Sequence, residues 1–214
     1  MDQKLAVLFM PDDMTLTKEK TPLMLRPILF CPILTWMVEE LMGQGVERFF
    51  IVSDVRAHDT MRPYIPERAN VTYVDGARHG EELLTLLKDE KGSVLIVNGA
   101  VLPVGVFSGG AVYSADAKEC CKVLKEHGAF AAFPKGAEIT KGFLPVGDDE
   151  ELRSAQDMCR RKIADKHFAA GVSIMDPNNT YIDPRVKIGS GTVILPGTIL
   201  RLSLIHISEP PRHA

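Results

Sequence analysis

The sequence predicts an α/β protein in three successive parts: a mainly parallel, doubly wound sheet, a long connecting helix and the start of a left-handed parallel β-helix. Two observations support this prediction. Short apolar runs alternate with helical patterns over residues 1–147, which is the β-α-β rhythm of a parallel sheet. Aliphatic residues then recur at every sixth position over residues 172–200, which is the repeat of a hexapeptide β-helix.

Composition places the chain among ordinary globular proteins. Of its 214 residues, 45% are hydrophobic and 25% are charged, and the formal net charge is -3. This balance offers no basic surface to nucleic acid, and no apolar run reaches the roughly 20 residues that span a bilayer. The four cysteines contain no Cys-x-x-Cys spacing, so we expect reduced thiols in a cytoplasmic protein, with a catalytic thiol as the alternative.

Residues 1–147 contain the alternating elements. Strands are predicted for KLAVLFM, VERFFIVSD, NVTYVD, SVLIVNG, the start of GAVYSADAKECCKVLKEHG, and AFAAFP. Helices are predicted for CPILTWMVEELMGQG, HGEELLTLLKDE and the remainder of the GAVY segment, which Gly128 closes. Apolar strands between such helices are typical of a sheet that is covered on both faces.

A longer helix is predicted over residues 148–171. Asp148 is the expected N-cap, and Glu151 stands three residues later, where it completes a capping box. An apolar stripe at helical spacing comprises Leu152, Ala155, Cys159 and Ile163. His167 lies in the last turn, where positive charge suits the helix dipole, and Gly171 ends the helix. We interpret this helix as a connector.

The six-residue period begins after the connector. Its aliphatic positions are Ile182, Ile188, Ile194 and Leu200, with Asp-Pro, Gly-Ser-Gly and Pro-Gly turn residues in phase between them. This pattern predicts the first coil of a left-handed β-helix over residues 172–200, and a pair of β-hairpins is the alternative. About three or more repeats are usually needed for stability, so a single coil looks incomplete.

The segment RRKIADKHFAAGVSIMDPNNTYIDPRVKIGSGTVILPGTIL closely resembles the connector and first coil of the bifunctional bacterial enzymes of UDP-N-acetylglucosamine synthesis. In that family a Rossmann-like nucleotidyltransferase domain makes UDP-N-acetylglucosamine from the sugar phosphate and UTP, with magnesium. A trimeric C-terminal β-helix acetylates glucosamine 1-phosphate from acetyl-CoA. The resemblance implies a role in peptidoglycan precursor synthesis, with magnesium, acetyl-CoA and a homotrimer expected only of the intact protein.

The N-terminal segment LFMPDDMTLTKEKTPLMLRPILFCPIL resembles the same family less closely. The family's L-A-A-G-x-G-T-R-M loop places its two glycines on Asp12 and Met14 and its arginine on Leu16, whereas its threonine persists as Thr15. Its P-K lysine falls on Leu23. Loop glycines let backbone N–H groups approach a phosphate and the cations offset its charge, so these changes imply a lost phosphate site. A shifted loop that uses nearby lysines is the alternative.

Other family positions agree with this loss. The uracil-contacting G-T-x-H-A resembles GARHG, in which Gly76 and His79 persist and the threonine is Ala77. The metal-binding aspartate of G-D-V-P-L falls on Ala100, and the second metal ligand falls near Gly147. The resemblance therefore implies no catalytic residue and no metal ligand. The position-equivalent substrate contacts are Thr15, Gly76, His79 and Gly99.

We therefore expect residues 1–147 to form a degenerate nucleotidyltransferase-like domain and the chain as given to be inactive and without cofactor. The resemblance implies that its partners are a sugar phosphate and UTP or a UDP-sugar, without nucleic acid or membrane. Two alternatives stay open: a non-catalytic scaffold that senses a nucleotide or sugar, and an active minimal sugar-phosphate nucleotidyltransferase.

The C-terminal residues 201–214 differ in composition from the repeat. The segment LSLIHISEP is the translation of a DNA string that resembles a transposase adapter from sequencing libraries, and His206 stands where the next inward aliphatic residue is due. We expect residues from about 201 onward to be non-native, with the acetyltransferase site beyond Leu200. A natural tail with a coincidental match is the alternative.

Overall fold

The computed structural model describes residues 4–11, 21–105 and 110–202. The strands are β1 Leu5–Phe9, β2 Pro27–Ile28, β3 Cys31–Pro32, β4 Arg48–Ser53, β5 Asn70–Asp75, β6 Ser93–Asn98, β7 Val101–Leu102, β8 Val112–Asp116, β9 Glu138–Ile139, β10 Leu144–Pro145, β11 Ser173–Ile174, β12 Tyr181–Ile182, β13 Val193–Ile194 and β14 Ile199–Leu200. The α-helices are α1 Ile33–Gly43, α2 His58–Met61, α3 His79–Leu87, α4 Ala117–His127 and α5 Asp149–Ala169. Most of the predicted tail, residues 203–214, lies outside the described part of the chain.

The main sheet has six strands in the order β5-β4-β1-β6-β8-β9. Strands β5, β4, β1 and β6 run parallel, and β8 and β9 add antiparallel pairs at one side. The predicted α/β fold with a mainly parallel sheet is therefore confirmed. Because the chain first proceeds outward from β1 to β5 and then returns to the other side of β1, a topological switch point lies between β1 and β6.

One strand prediction is wrong. AFAAFP, residues 129–134, contains no strand, and the short edge strand β9 lies further on at Glu138–Ile139. Its phenylalanines make ring contacts with the sheet instead: Phe130 meets Phe9 with the ring centroids 5.7 Å apart, and Phe133 meets Tyr113 at 4.6 Å. The aromatic residues that suggested a strand thus belong to a loop that packs across the sheet.

Both faces of the sheet are buried. Along β1, Ala6 and Leu8 belong to a core that includes residues of α1 and α5, whereas Leu5 and Val7 belong to a second core that includes residues of α3 and α4. Side chains alternate between the two faces of a strand, so a strand with helices on both sides must be apolar at every position. This requirement explains the continuous run LAVL.

The two helices on the second face approach each other closely at Gly80. A Cβ atom at this position would overlap the carbonyl oxygen of Gly128, the residue that ends α4 with a left-handed φ of 69°. The hydrogen side chain of Gly80 therefore permits a backbone contact between α3 and the end of α4.

Helix α5 has the predicted start. The Asp148 carboxylate accepts hydrogen bonds from the N–H groups of Glu150 and Glu151, both at 2.9 Å. The Glu151 carboxylate in turn accepts a hydrogen bond from the N–H of Gly147 at 2.6 Å. A capping box would use the N–H of the N-cap itself, which is the next residue, Asp148. The predicted apolar stripe is buried in the first core, and Gly171 follows the helix with a φ of 81°. The helix is thus fixed by its sequence at both ends and along one face.

The last turn of α5 differs from the prediction at His167. This side chain is buried, and its Nε2 atom has no hydrogen-bond partner among the described residues. Burial, with the neighbouring charge of Lys166, lowers the pKa of His167 below its usual value. His167 therefore does not supply the expected positive charge at neutral pH.

Residues 172–200 form two parallel strand pairs. β11 pairs with β13 and β12 with β14, and Ile182 lies opposite Leu200, three hexads later. A β-hairpin would pair its strands antiparallel, so this pairing differs from the hairpin alternative. The four periodic aliphatic residues all contact the first core, Ile182 and Ile194 as fully buried members.

The segment after Ile182 contains a buried ion pair, and the arginine of that pair donates a hydrogen bond to the N-terminal part. Asp183 is fully buried, and its carboxylate accepts from the guanidinium of Arg185 at 2.9 and 2.6 Å. Arg185 Nη2 also donates to the carbonyl oxygen of Phe30 at 3.4 Å. Phe30 and Leu29 connect β2 to β3 with φ values of 70° and 47°, conformations that cost a non-glycine residue of order 1–3 kcal/mol each. The ion pair therefore supports a strained turn.

We predict that Gly80→Ala destabilises the protein by about 2 kcal/mol or more, because a backbone overlap cannot be relieved by rotating a side chain. Urea unfolding would measure this loss. The matched control is Gly43→Ala at the end of α1, where a Cβ atom meets nothing within 4 Å. Equal unfolding midpoints for the two variants would contradict the close helix contact.

We predict that the stability of the protein falls as the pH drops below about 6.5, because of His167. Its folded-state pKa is lowered, so its contribution is complete above the unfolded value near 6.5 and is lost as the pH falls. The free energy of unfolding changes by up to about 1.4 kcal/mol per pH unit. Urea unfolding at several pH values should show a shallower slope for His167→Gln, and an unchanged slope would contradict the prediction.

Candidate functional site

A cleft of about 700 Å³ lies where the carboxyl ends of β1, β4 and β5 meet. Its lining includes Phe9, Ser53, Asp54, Asp75, Gly76 and His79. Doubly wound sheets bind their ligands outside the carboxyl ends of the strands. This cleft is therefore the candidate functional site, and it contains two of the predicted contact residues, Gly76 and His79.

The acid at the end of β4 is held by an arginine. Asp54 accepts hydrogen bonds from the Arg56 N–H at 2.8 Å and from its guanidinium at 3.0 and 2.7 Å. These hydrogen bonds lower the pKa of Asp54 to about 2. A carboxylate with so low a pKa stays ionised and is a poor general base near neutral pH.

The end of β5 requires a glycine. A Cβ atom on Gly76 would lie 3.2 Å from the backbone carbonyl carbon and oxygen of Ser53 at the end of β4. Just before it, the Asp75 carboxylate accepts from the Ala77 N–H at 3.0 Å and from Arg78 Nε at 3.3 Å. Gly76 thus allows the neighbouring strand ends to approach and form one wall of the cleft.

His79 begins α3 and forms another part of the wall. Its Nδ1 lies 2.6 Å from the carbonyl oxygen of Gly76, which assigns the proton of the neutral ring to Nδ1 and leaves Nε2 as an acceptor. The ring meets Phe9 edge to face, with centroids 5.7 Å apart and planes at 87°. An imidazole held by both contacts is a fixed surface for a ligand, with one acceptor atom.

Of the other two predicted contacts, Gly99 is among the described residues and Thr15 is not. Gly99 follows β6 with a φ of 76°, and its N–H donates to the carbonyl oxygen of Phe9 at 2.9 Å, but it does not line the cavity. Thr15 lies outside the described residues, as do the other residues of the predicted phosphate loop between 12 and 20. The structure therefore brings together two of the four predicted contact positions.

The two positions on which the resemblance places the family's metal ligands lie close together. Strands β7 and β10 pair, and the Val146 N–H donates to the carbonyl oxygen of Ala100 at 2.9 Å, which brings Gly147 near Ala100. Neither position has an oxygen-bearing side chain, and the Asp148 carboxylate caps α5. Magnesium prefers carboxylate and water oxygens, so these residues do not fit it. Within the described ranges, no group of three or more His, Cys, Asp or Glu residues could hold a metal ion.

The cysteines are poor candidates for a nucleophile. All four are free and buried. Burial raises the pKa of Cys31, Cys120 and Cys159 to about 12, and that of Cys121 is also raised. The thiolate is the reactive form, and little of it exists at neutral pH at such pKa values. These environments argue against the catalytic-thiol alternative.

Sequence reasoning missed the Asp54–Arg56 pair and the aromatic contact of Phe9. A usable signal existed, because Asp54 directly follows a buried apolar strand and Asp75 ends the next one. The carboxyl ends of adjacent parallel strands lie at the same edge of a sheet, so the two acids could have been assigned to one site. Their arginine partners depend on local turns that no periodicity shows.

The fold and the cleft define a protein of the α/β class with a parallel-dominated sheet, compatible with a Rossmann-like fold. Part of the chain is similar to bifunctional proteins GlmU. It is 50% identical over 58 residues to that of Caldanaerobacter subterraneus subsp. tengcongensis, 34% over 83 residues to that of Clostridioides difficile, and 41% over 80 residues to that of Listeria innocua.

These similarities are partial. The matches cover 27%, 39% and 37% of this chain and 13%, 18% and 17% of the three relatives, so they span less than a fifth of the length of those proteins. No protein-family model matches the chain. Among the described residues, no helix combines the length and apolar character needed to cross a membrane.

We predict that Arg56→Ala raises the pKa of Asp54 from about 2 toward its ordinary value of 3.8, because the guanidinium hydrogen bonds are removed. A carbon-13 NMR titration of the aspartate carboxyls would measure the change. The control is Arg78→Ala, which removes a similarly exposed arginine from the neighbouring Asp75 and should leave Asp54 unchanged. An equal shift in both variants would contradict a direct effect.

Proposed function

We propose that this chain derives from the UDP-N-acetylglucosamine biosynthesis family and that its residues 1–147 are a nucleotidyltransferase-type domain without transfer activity. The observation that carries the proposal is the pairing of β7 with β10. It brings together the two positions that correspond to the family's metal ligands, and they are Ala100 and Gly147. The backbone pairs these two segments, and neither Ala100 nor Gly147 has an oxygen-bearing side chain, which supports the proposal.

The physical case rests on charge. Phosphoryl transfer from a triphosphate depends on cations that neutralise the charge developing on the phosphate oxygens. Ala100 is buried and has only a methyl group, and the Asp148 carboxylate is occupied by two backbone N–H groups. Asp54, an acid of the cleft lining, is paired with Arg56. Loss of magnesium binding is sufficient to abolish this chemistry.

A second candidate is binding without turnover, and the cleft favours it. Gly76 and His79 line a cavity of about 700 Å³, a size typical of small-molecule sites. Arg56 and Asp54 lie in the same lining, and their ion pair forms a polar edge of the cleft beside His79. In this version the domain senses a nucleotide or a nucleotide sugar, and the sheet serves as a scaffold.

We also propose that residues 172–200 are the first coil of a left-handed β-helix. The support is the pairing of Ile182 with Leu200 in parallel strands separated by three hexads. Acetyl transfer from acetyl-CoA and trimer formation are then properties of a complete protein of this family. A cytoplasmic location accords with the proposal, since the four cysteines are free.

The transfer proposal is tested with UTP, N-acetylglucosamine 1-phosphate and magnesium, following pyrophosphate release. We expect no release above the rate without protein, and restoring Ala100→Asp alone should not produce it. Steady turnover by the unmodified chain would overturn the proposal and favour an active minimal transferase. Calorimetry with UTP and UDP-N-acetylglucosamine then distinguishes a cleft that binds a nucleotide without turnover from a cleft that binds neither ligand.

If the cleft binds a uridine nucleotide, we predict that His79→Ala weakens binding by about 2- to 12-fold, since aromatic contacts contribute roughly 0.5–1.5 kcal/mol. The matched control is His127→Ala, at the exposed end of α4 outside the cleft, which should leave affinity unchanged. Calorimetry measures both. Equal affinities for the two variants would place the ligand elsewhere.

A further inference from the structure

We propose that a second cavity, between α1, α5 and the segment after Ile182, binds a small anion of the phosphate monoester class. The cavity has a volume of about 580 Å³. Its polar lining includes Arg68, Lys166, His167, Arg185 and Lys187, and its apolar lining includes Trp36. It shares no lining residue with the cleft at the carboxyl ends of the strands, so the inference does not rest on the proposed function.

The charges of this cavity do not balance. Glu39 is paired with Arg68, Glu40 with Lys162 at 3.8 Å, and Arg185 with the buried Asp183 at 2.6 Å. These pairs account for every carboxylate of the lining. The remaining cations are Lys166 and Lys187, and neither has an ion-pair partner among the described residues. The cavity therefore presents an excess of two positive charges.

A buried histidine adds a directed hydrogen-bonding atom. His167 is only 4% exposed and belongs to the cavity lining, and its Nε2 has no partner in the described parts of the chain. Leaving a buried polar atom unpaired costs free energy, because the atom has lost its hydrogen bond to water. A ligand or a water molecule that hydrogen-bonds to this atom would recover that free energy. Lys166 and Lys187 favour an anionic ligand over water, because a water molecule does not offset their charge.

The class of ligand follows from these groups. A phosphate monoester carries about two negative charges near neutral pH and three acceptor oxygens. These match two lysine ammonium groups and the imidazole tautomer that carries its proton on Nε2. The volume lies within the range of small-molecule sites, so an organic group attached to the phosphate fits beside the apolar lining. Trp36, Val186 and Ile188 provide that apolar surface.

Inorganic phosphate is the probe for the test. Long-range proton–nitrogen NMR follows the ring nitrogens of His167 in the full chain during a phosphate titration at pH 7. We expect a saturable change in the His167 signals and a higher His167 pKa in the presence of phosphate, because a nearby anion stabilises the imidazolium. Potassium chloride at the same ionic strength is the control for screening and should give no saturable change.

Variants locate the site. Lys187→Ala should weaken phosphate binding by about tenfold, the loss of one charge-assisted hydrogen bond of roughly 1.5 kcal/mol. Lys91→Ala removes an exposed lysine outside the cavity and should have no effect. Lys166→Ala provides a second, independent removal of charge. The absence of a saturable change, or equal binding by Lys187→Ala and Lys91→Ala, would overturn the proposal and leave water as the occupant of the cavity.

Discussion

The structure depends on the burial of a parallel sheet on both of its faces. Leu5, Ala6, Val7 and Leu8 of β1 each face one of two hydrophobic cores, and the half-buried Phe9 at the end of the strand lines the cleft. The two cores fix α1 and α5 on one side and α3 and α4 on the other. The carboxyl ends of β1, β4 and β5 are thereby aligned, and the cleft is a consequence of that alignment.

The first core is continuous with residues that follow the sheet. The apolar stripe of α5 and the inward residues Ile182 and Ile194 belong to the same cluster as β1. The Asp183–Arg185 pair adds a specific contact with the turn at Phe30. A buried charge requires its partner, so this pair fixes the position of the segment more than it adds stability. The connector and the sheet are consequently one packed unit.

The pairing of β7 with β10 does not depend on which side chains the neighbouring positions carry. Backbone pairing of these strands needs only N–H and C=O groups, which every residue except proline provides. Ala100 and Gly147, which the proposed function aligns with the family's metal ligands, can therefore stand beside this pairing without disturbing it. A domain can retain its architecture after its reaction is lost, because packing and catalysis place demands on different atoms.

The sequence by itself determined the alternation of strands and helices, both ends of α5 and its buried stripe, because apolar periodicity and helix caps are local properties. The family resemblance also predicted Gly76 and His79 as substrate contacts, and both residues line the cleft. Tertiary structure decided the rest: the meeting of the ends of β1, β4 and β5 in one cleft, the loop position of AFAAFP, and the burial of His167. These outcomes depend on which surfaces meet after the chain folds, and contacts between residues distant in sequence leave no periodic signal.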